Sequence, residues 1–176
     1  MVTEQQTILQ TLQTAIQMEI DGKDFYLKAS RKSSNEMGKE LLKQLAAEED
    51  IHRQNFEEIY EAMRNKKDWP KTDFQPDGGI KLRTIFTRAN EEIGANARVI
   101  GTELDAVQIA INMESKTYDF YKAQSKKTML DAARDFYDAL AAQEREHQLV
   151  LLDYSEYLKD PAGWFVSKEH PSLDGG

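Results

Sequence analysis

Four stretches of the chain place apolar residues three and four positions apart, the spacing that lines one face of an α-helix. The first seam is Leu9, Leu12, Ile16, Glu19, Lys23 and Tyr26, and the second is Leu42, Leu45, Glu49, His52, Phe56, Ile59 and Met63. The third is Leu104, Val107, Ile111, Glu114, Tyr118 and Tyr121, and the fourth is Tyr137, Leu140, Glu144, His147, Leu151, Tyr154 and Leu158. Seams of this kind face a bundle core, where packing alone would favour Leu. Yet near the middle of each seam a Glu, or a Glu-x-x-His, interrupts the apolar run.

The four seams are two copies of one pattern. An offset of 95 residues aligns AIQMEIDGKDFY (from Ala15) with AINMESKTYDFY (from Ala110), and LAAEEDIH (from Leu45) with LAAQEREH (from Leu140). It pairs Glu19 with Glu114, Glu49 with Glu144, His52 with His147, and Tyr26 with Tyr121. No gap separates the blocks, so the Glu-to-Glu spacing is 30 residues in both halves.

Each half reads as a helical hairpin. Thr3 with Gln6 forms a capping box for the first helix, and Ser33 with Glu36 and Thr128 with Asp131 form capping boxes for the second and fourth. Pro70 and Pro161 fall just past the ends of the hairpins, and the stretch Lys66 to Gly79, with two Pro and two Gly, reads as loop. The segment LRTIFTRANEEI (from Leu82) suits a short helix on the crossover. The expected fold is all-α: a four-helix bundle of two repeated hairpins, about residues 5–63 and 100–158, joined by a long crossover over 64–101. The bundle occupies residues 1–160, and 161–176 form a C-terminal tail.

Composition narrows the chemistry. A length of 176 residues suits one domain, and a net charge of −8 with no basic stripe argues against nucleic acid. The basic cluster Arg64 to Lys67 reads as a helix end. The sequence has no Cys, which removes thiolate nucleophiles, Cys-ligated zinc and iron–sulfur clusters. Neither a signal-peptide pattern nor a run of transmembrane length is present, so the expectation is no membrane and a cytoplasmic location.

The interrupted seams then need a cause. An unpaired buried ion costs several kcal/mol, so buried charges are paired or bind metal. Four carboxylates and two neutral imidazoles carry four negative charges, which two divalent cations would balance. Glu and His at i and i+3 share a helix face and can bind one ion. A lone Glu-x-x-His is most often a solvated pair, but here it occurs twice, each copy preceded by a seam Glu at the same distance. The candidate metal residues are therefore Glu19, Glu49, His52, Glu114, Glu144 and His147. One Glu from each of two helices with Glu-x-x-His from each of the other two matches the arrangement of di-iron carboxylate bundles.

On MEIDGKDFY, EEDIH, MESKTYDFY and EREH, the chain resembles the ferritin-like di-iron family, most closely its rubrerythrin branch. The resemblance covers both hairpins. It implies two Fe per chain, with Mn as the alternative, bridged by Glu49 and Glu144. Glu19 and His52 would complete one metal, and Glu114 and His147 the other. It implies a di-iron oxidoreductase reacting with hydrogen peroxide or dioxygen, peroxidase- or ferroxidase-like. Other readings of the same ligands are an iron-storage ferroxidase of bacterioferritin type, a dimanganese catalase-type centre and a non-enzymatic metal-binding bundle. It also implies a homodimer, with hairpins that can exchange between subunits, and an external electron donor such as rubredoxin. Two departures stand out. There is no four-Cys rubredoxin segment, and the extra Glu that rubrerythrins carry three residues after the third-helix ligand is here Thr117, with Gly22 as its repeat partner.

Tyr26 and Tyr121 lie seven residues after Glu19 and Glu114. Helical side chains tilt toward the N-terminus, so each phenol is expected to reach back toward the site and hydrogen-bond a ligand Glu. Lys23 and Tyr118 share one repeat position but differ, and any asymmetry between the metals is expected there. His170 reads as a surface residue, and Trp164 and Phe165 as anchors of the tail.

Overall fold

The computed structural model describes residues 3–72, 74–82, 85 and 101–169. Its helices are α1 (Glu4–Lys32), α2 (Glu36–Arg64), α3 (Gly101–Lys127), α4 (Asp131–Lys159) and a short α5 (Pro161–Glu169). No helix among the described residues is long and apolar enough to cross a membrane. The long helices match the two expected hairpins to within a residue or so. Most packing lies within each hairpin, and the hairpins meet through α1 against α3 and α2 against α4.

Capping explains where these helices begin. Thr3 and Gln6 form the expected reciprocal box at the start of α1. The two other expected boxes do not form. The N-cap of α2 is Asn35, whose side chain accepts from the Gly38 N–H at 2.6 Å, while Ser33 instead ends α1. The N-cap of α4 is Leu130, with no side-chain cap, and the Thr128 hydroxyl accepts from the Leu130 N–H within the preceding turn. Both helices start two residues later than expected, because Ser33 and Thr128 are taken up in the turns that precede them.

The seams of α2 and α4 are buried throughout as read. On α1 the buried set is Leu12, Ala15, Glu19, Gly22, Tyr26 and Ser30, so Gly22 holds the core position expected of Lys23. An ammonium would lose its hydration there. Lys23 instead lies on the flank and pairs with Asp50 at 2.7 Å. On α3, Tyr118 is only half-buried.

The core is divided into two apolar clusters. One holds Tyr26, Leu41, Leu45, Val107, Ile111, Leu151 and Tyr154, and the crossover adds Leu82 and Ile85. The other holds Leu12, Phe56, Ile59, Tyr121, Phe136, Tyr137 and Leu140, with Trp69 and Phe74 of the crossover packed against it. Residues 80–82 are helical, and the remainder of the expected crossover helix lies outside the described residues, apart from position 85. Trp164 does anchor α5: it is buried, sits 5.6 Å edge-on to Tyr157 and donates to Asp153. The side chain of Phe165, and His170, lie outside the described residues.

Candidate metal centre

Between the two apolar clusters all six polar seam residues come together. Glu19, His52, Glu144 and His147 have no exposed surface, and Glu49 and Glu114 keep 4% each. Their donor atoms form two sets, Glu19–Glu49–His52–Glu144 and Glu49–Glu114–Glu144–His147, each within 4.8 Å. Glu49 and Glu144 belong to both sets. The repeat accounts for this: equal hairpins place equal residues at the same depth, one pair from each half.

Chain direction explains the surrounding hydrogen bonds. Tyr26 of α1 donates its hydroxyl to Glu114 of α3, and Tyr121 of α3 donates to Glu19 of α1. Each phenol thus crosses to the other hairpin instead of serving the Glu of its own helix. The crossing follows from α1 and α3 running antiparallel, which sets position 26 against 114 and 19 against 121.

The two imidazoles lie nearly parallel, 5.7 Å apart, and both present Nδ1 to the carboxylates. His52 Nδ1 is 3.2 Å from Glu19 and 3.2 Å from Glu144. His147 Nδ1 is 3.1 Å from Glu49, 3.3 Å from Glu144 and 3.5 Å from Glu114. Even so, Glu49 Oε1, both Glu144 oxygens and His147 Nδ1 lack a hydrogen-bond partner in good geometry among the described residues. Buried polar atoms rarely go unsatisfied, so these atoms point to a shared ligand at the centre of the cluster. Hard carboxylate oxygens with imidazole nitrogens suit iron or manganese, and the residues therefore fit a pair of such ions.

Charge crowding shifts the titration of the metal-free cluster. Burial, then repulsion from Glu144, Glu19 and Glu114, raises the Glu49 carboxyl well above the usual range. Burial and Glu144 push Glu114 up to about 8. Glu144 goes the other way: the adjacent His52 and His147 outweigh its burial and hold it low. Burial disfavours both imidazolium ions, but the carboxylates outweigh it and raise His52 and His147. Burial and the facing Glu raise both phenols, so Tyr26 and Tyr121 stay protonated donors.

The sequence reading missed the residues behind the imidazoles. Glu48, buried beside Glu49, accepts from His147 Nε2 and Gln143 Nε2, each at 2.8 Å, and from Gln44 at 3.0 Å. Burial alone would raise its carboxyl, but these bonds and the His147 charge outweigh it and hold it at about 2. Phe74 stands edge-on to His52 at 5.4 Å. Glu48, Gln143 and Phe74 also line a surface cleft of about 410 Å³, walled by Lys71, Asp77 and Lys81. The available signal was the repeat itself, where Glu48 aligns with Gln143 and breaks the match next to a ligand.

Thr117 does not stand in for the missing Glu. Its hydroxyl donates to the Met113 carbonyl at 3.0 Å on its own helix. Its repeat partner Gly22 leaves room for a ligand, since a Cβ there would come within 3.2 Å of Glu49 Oε2. A family model described as rubrerythrin matches residues 10–155, which include all six polar seam residues. Neither a curated protein nor a solved structure matches the chain.

Proposed function

Because the chain belongs to the rubrerythrin family, which has a ferritin-like di-iron domain, we propose that it is a di-iron oxidoreductase reacting with hydrogen peroxide or dioxygen. The observation that carries this reading is the pair of buried donor sets sharing Glu49 and Glu144. In it, Glu49 and Glu144 would serve both ions, Glu19 and His52 would hold one, and Glu114 and His147 the other. A bound pair of ferrous ions would supply the two electrons that reduction of a peroxide bond requires.

The chain's own residues set the conditions. Tyr26 and Tyr121 hold the terminal carboxylates Glu114 and Glu19 in one orientation from the opposite hairpin. The apolar clusters above and below exclude water. The surface cleft lined by Glu48, Gln143 and Phe74 comes up to residues that pack directly behind the two imidazoles. These 176 residues hold no Cys and so no Cys-ligated iron, and a donor such as a rubredoxin would return the electrons.

A second reading, an iron-storage ferroxidase, is favoured by Thr117 and Gly22, which leave a set of four Glu and two His as in bacterioferritin. Both readings require anaerobic ferrous titration to plateau at two ions per chain. The bound iron should then be oxidised by peroxide or dioxygen faster than free iron in the same buffer, as followed by stopped-flow absorption. A plateau at one or none sinks the di-metal reading, and oxidation no faster than free iron sinks the enzymatic one. Metal analysis of protein from iron- and manganese-supplemented cells separates the two metals.

A further inference from the structure

The two halves of the centre have the same ligands but not the same support. Behind His147, Nε2 is held 2.8 Å from Glu48 Oε2. Gln143 and Gln44 donate to the same carboxylate and fix its position. In the neutral imidazole that a cation requires, this bond keeps the remaining proton on Nε2 and leaves Nδ1, which faces Glu49, Glu114 and Glu144, as the metal-binding atom. Among the described residues there is no equivalent behind His52. Its Nε2 has no hydrogen-bond partner among the described residues. The nearest described ring is Phe74, which stands nearly at right angles to the imidazole 5.4 Å away and has no oxygen or nitrogen to accept a hydrogen bond.

The repeat identifies the cause. Glu48 lies four residues before His52 and serves His147 across the bundle, so position 143 is the one that would serve His52. That position is Gln143, whose amide nitrogen is turned to Glu48 and whose Oε1 is itself without a partner among the described residues. A carboxylate is a stronger acceptor than an amide, and a carboxylate behind a ligating imidazole fixes the ring and raises its basicity.

We propose that Glu48 is a positioning residue for His147 that makes the Glu114–His147 half of the centre the tighter cation site and leaves the Glu19–His52 half the weaker. The proposal rests on the di-metal reading above. It also places the asymmetry at positions 48 and 143, not at Lys23 and Tyr118.

Anaerobic calorimetric titration of the full chain with Co2+, followed in parallel by visible absorption of the bound ion, tests it. Repulsion between two close cations separates the steps even for identical halves, so the assignment of each step is decisive, not the separation. H147A should remove the tight step and H52A the weak one. E48Q should weaken the tight step by roughly 10- to 100-fold and leave the weak step nearly unchanged. E48Q/Q143E keeps one carboxylate facing one amide and should reverse the assignment, with H52A now removing the tight step. If E48Q leaves the tight step unaltered, or the double variant keeps the original assignment, the proposal is overturned. Absence of Co2+ binding by the unaltered chain would instead overturn the di-metal reading, and the proposal with it.

Discussion

Four carboxylates share one buried site with two imidazoles, and in the metal-free chain that arrangement works against stability. Glu49 carries most of the conflict, since its Oε1 has no well-aligned hydrogen-bond partner among the described residues and three other carboxylates raise its proton affinity. Glu49→Gln keeps the shape and removes a carboxyl that on folding at neutral pH must either take up a proton or be buried ionised, so it should stabilise the metal-free protein while abolishing tight metal binding. A gain of about 1 kcal/mol would raise Tm by roughly 2–4 °C in a chain of this size. A lower Tm for the metal-free variant than for the metal-free parent would contradict this. At this scale the six polar seam residues were legible because each breaks an apolar stripe and each has a repeat partner. Glu48 was not legible because an acid beside another acid on a helix usually faces water, and nothing in one sequence says that it reaches across to His147. The cross-hairpin bonds of Tyr26 and Tyr121 were hidden for the same reason: spacing along a helix reports that helix, not its neighbour.

The helices were legible in extent and less so in their first turns. Expected hairpins over residues 5–63 and 100–158 became α1–α2 and α3–α4 over Glu4–Arg64 and Gly101–Lys159. Ser33 and Thr128 have the spacing of capping residues, yet the turn geometry hands the cap to positions 35 and 130. The repeat makes this testable, because Asn35 caps α2 while its partner Leu130, partly exposed, leaves α4 without a side-chain cap. Leu130→Asn should stabilise the protein and Asn35→Ala should destabilise it, each by about 1 kcal/mol. Thermal or urea unfolding of both variants reads the result, and an unchanged or lower stability of Leu130→Asn would show that the α4 start cannot use a cap. Lys23 was misplaced because a seam can run through positions 9, 12, 16, 19 and 23 or through 12, 15, 19, 22 and 26. Only the partner helix decides between them. Gly22 lies on the second track because Glu49 needs the space beside it.

In the whole molecule a charged layer lies between two apolar clusters, so assembly and metal loading both act on its stability. We propose a homodimer. Leu149 and Leu152, three residues apart on α4, are partly exposed and suit a contact of that kind. Light scattering should give twice the chain mass, and a monomer or a shell of many chains would contradict it. The pH dependence of the metal-free protein follows from the shifted groups. Glu114 keeps its proton up to about pH 8 when folded but only to its ordinary 4.5 when unfolded. The stability it confers is complete below pH 4.5 and is lost as pH rises through 8. Glu49, His52 and His147 are also raised and act with the same sign. Glu48 is held at about 2, so its contribution is present above its ordinary 4.5 and is lost only as pH falls toward 2. The metal-free protein should therefore be most stable in mild acid, and its Tm should fall steadily between about pH 6 and 8. Metal binding needs those protons removed, so it should release protons, and the rise in Tm at a fixed metal concentration should grow over the same interval. Scanning calorimetry at several pH values, with and without Co2+, measures both slopes. A metal-free Tm that is flat or rises from pH 6 to 8 would mean that the buried cluster is not protonated as the crowding of Glu49, Glu114 and Glu144 requires.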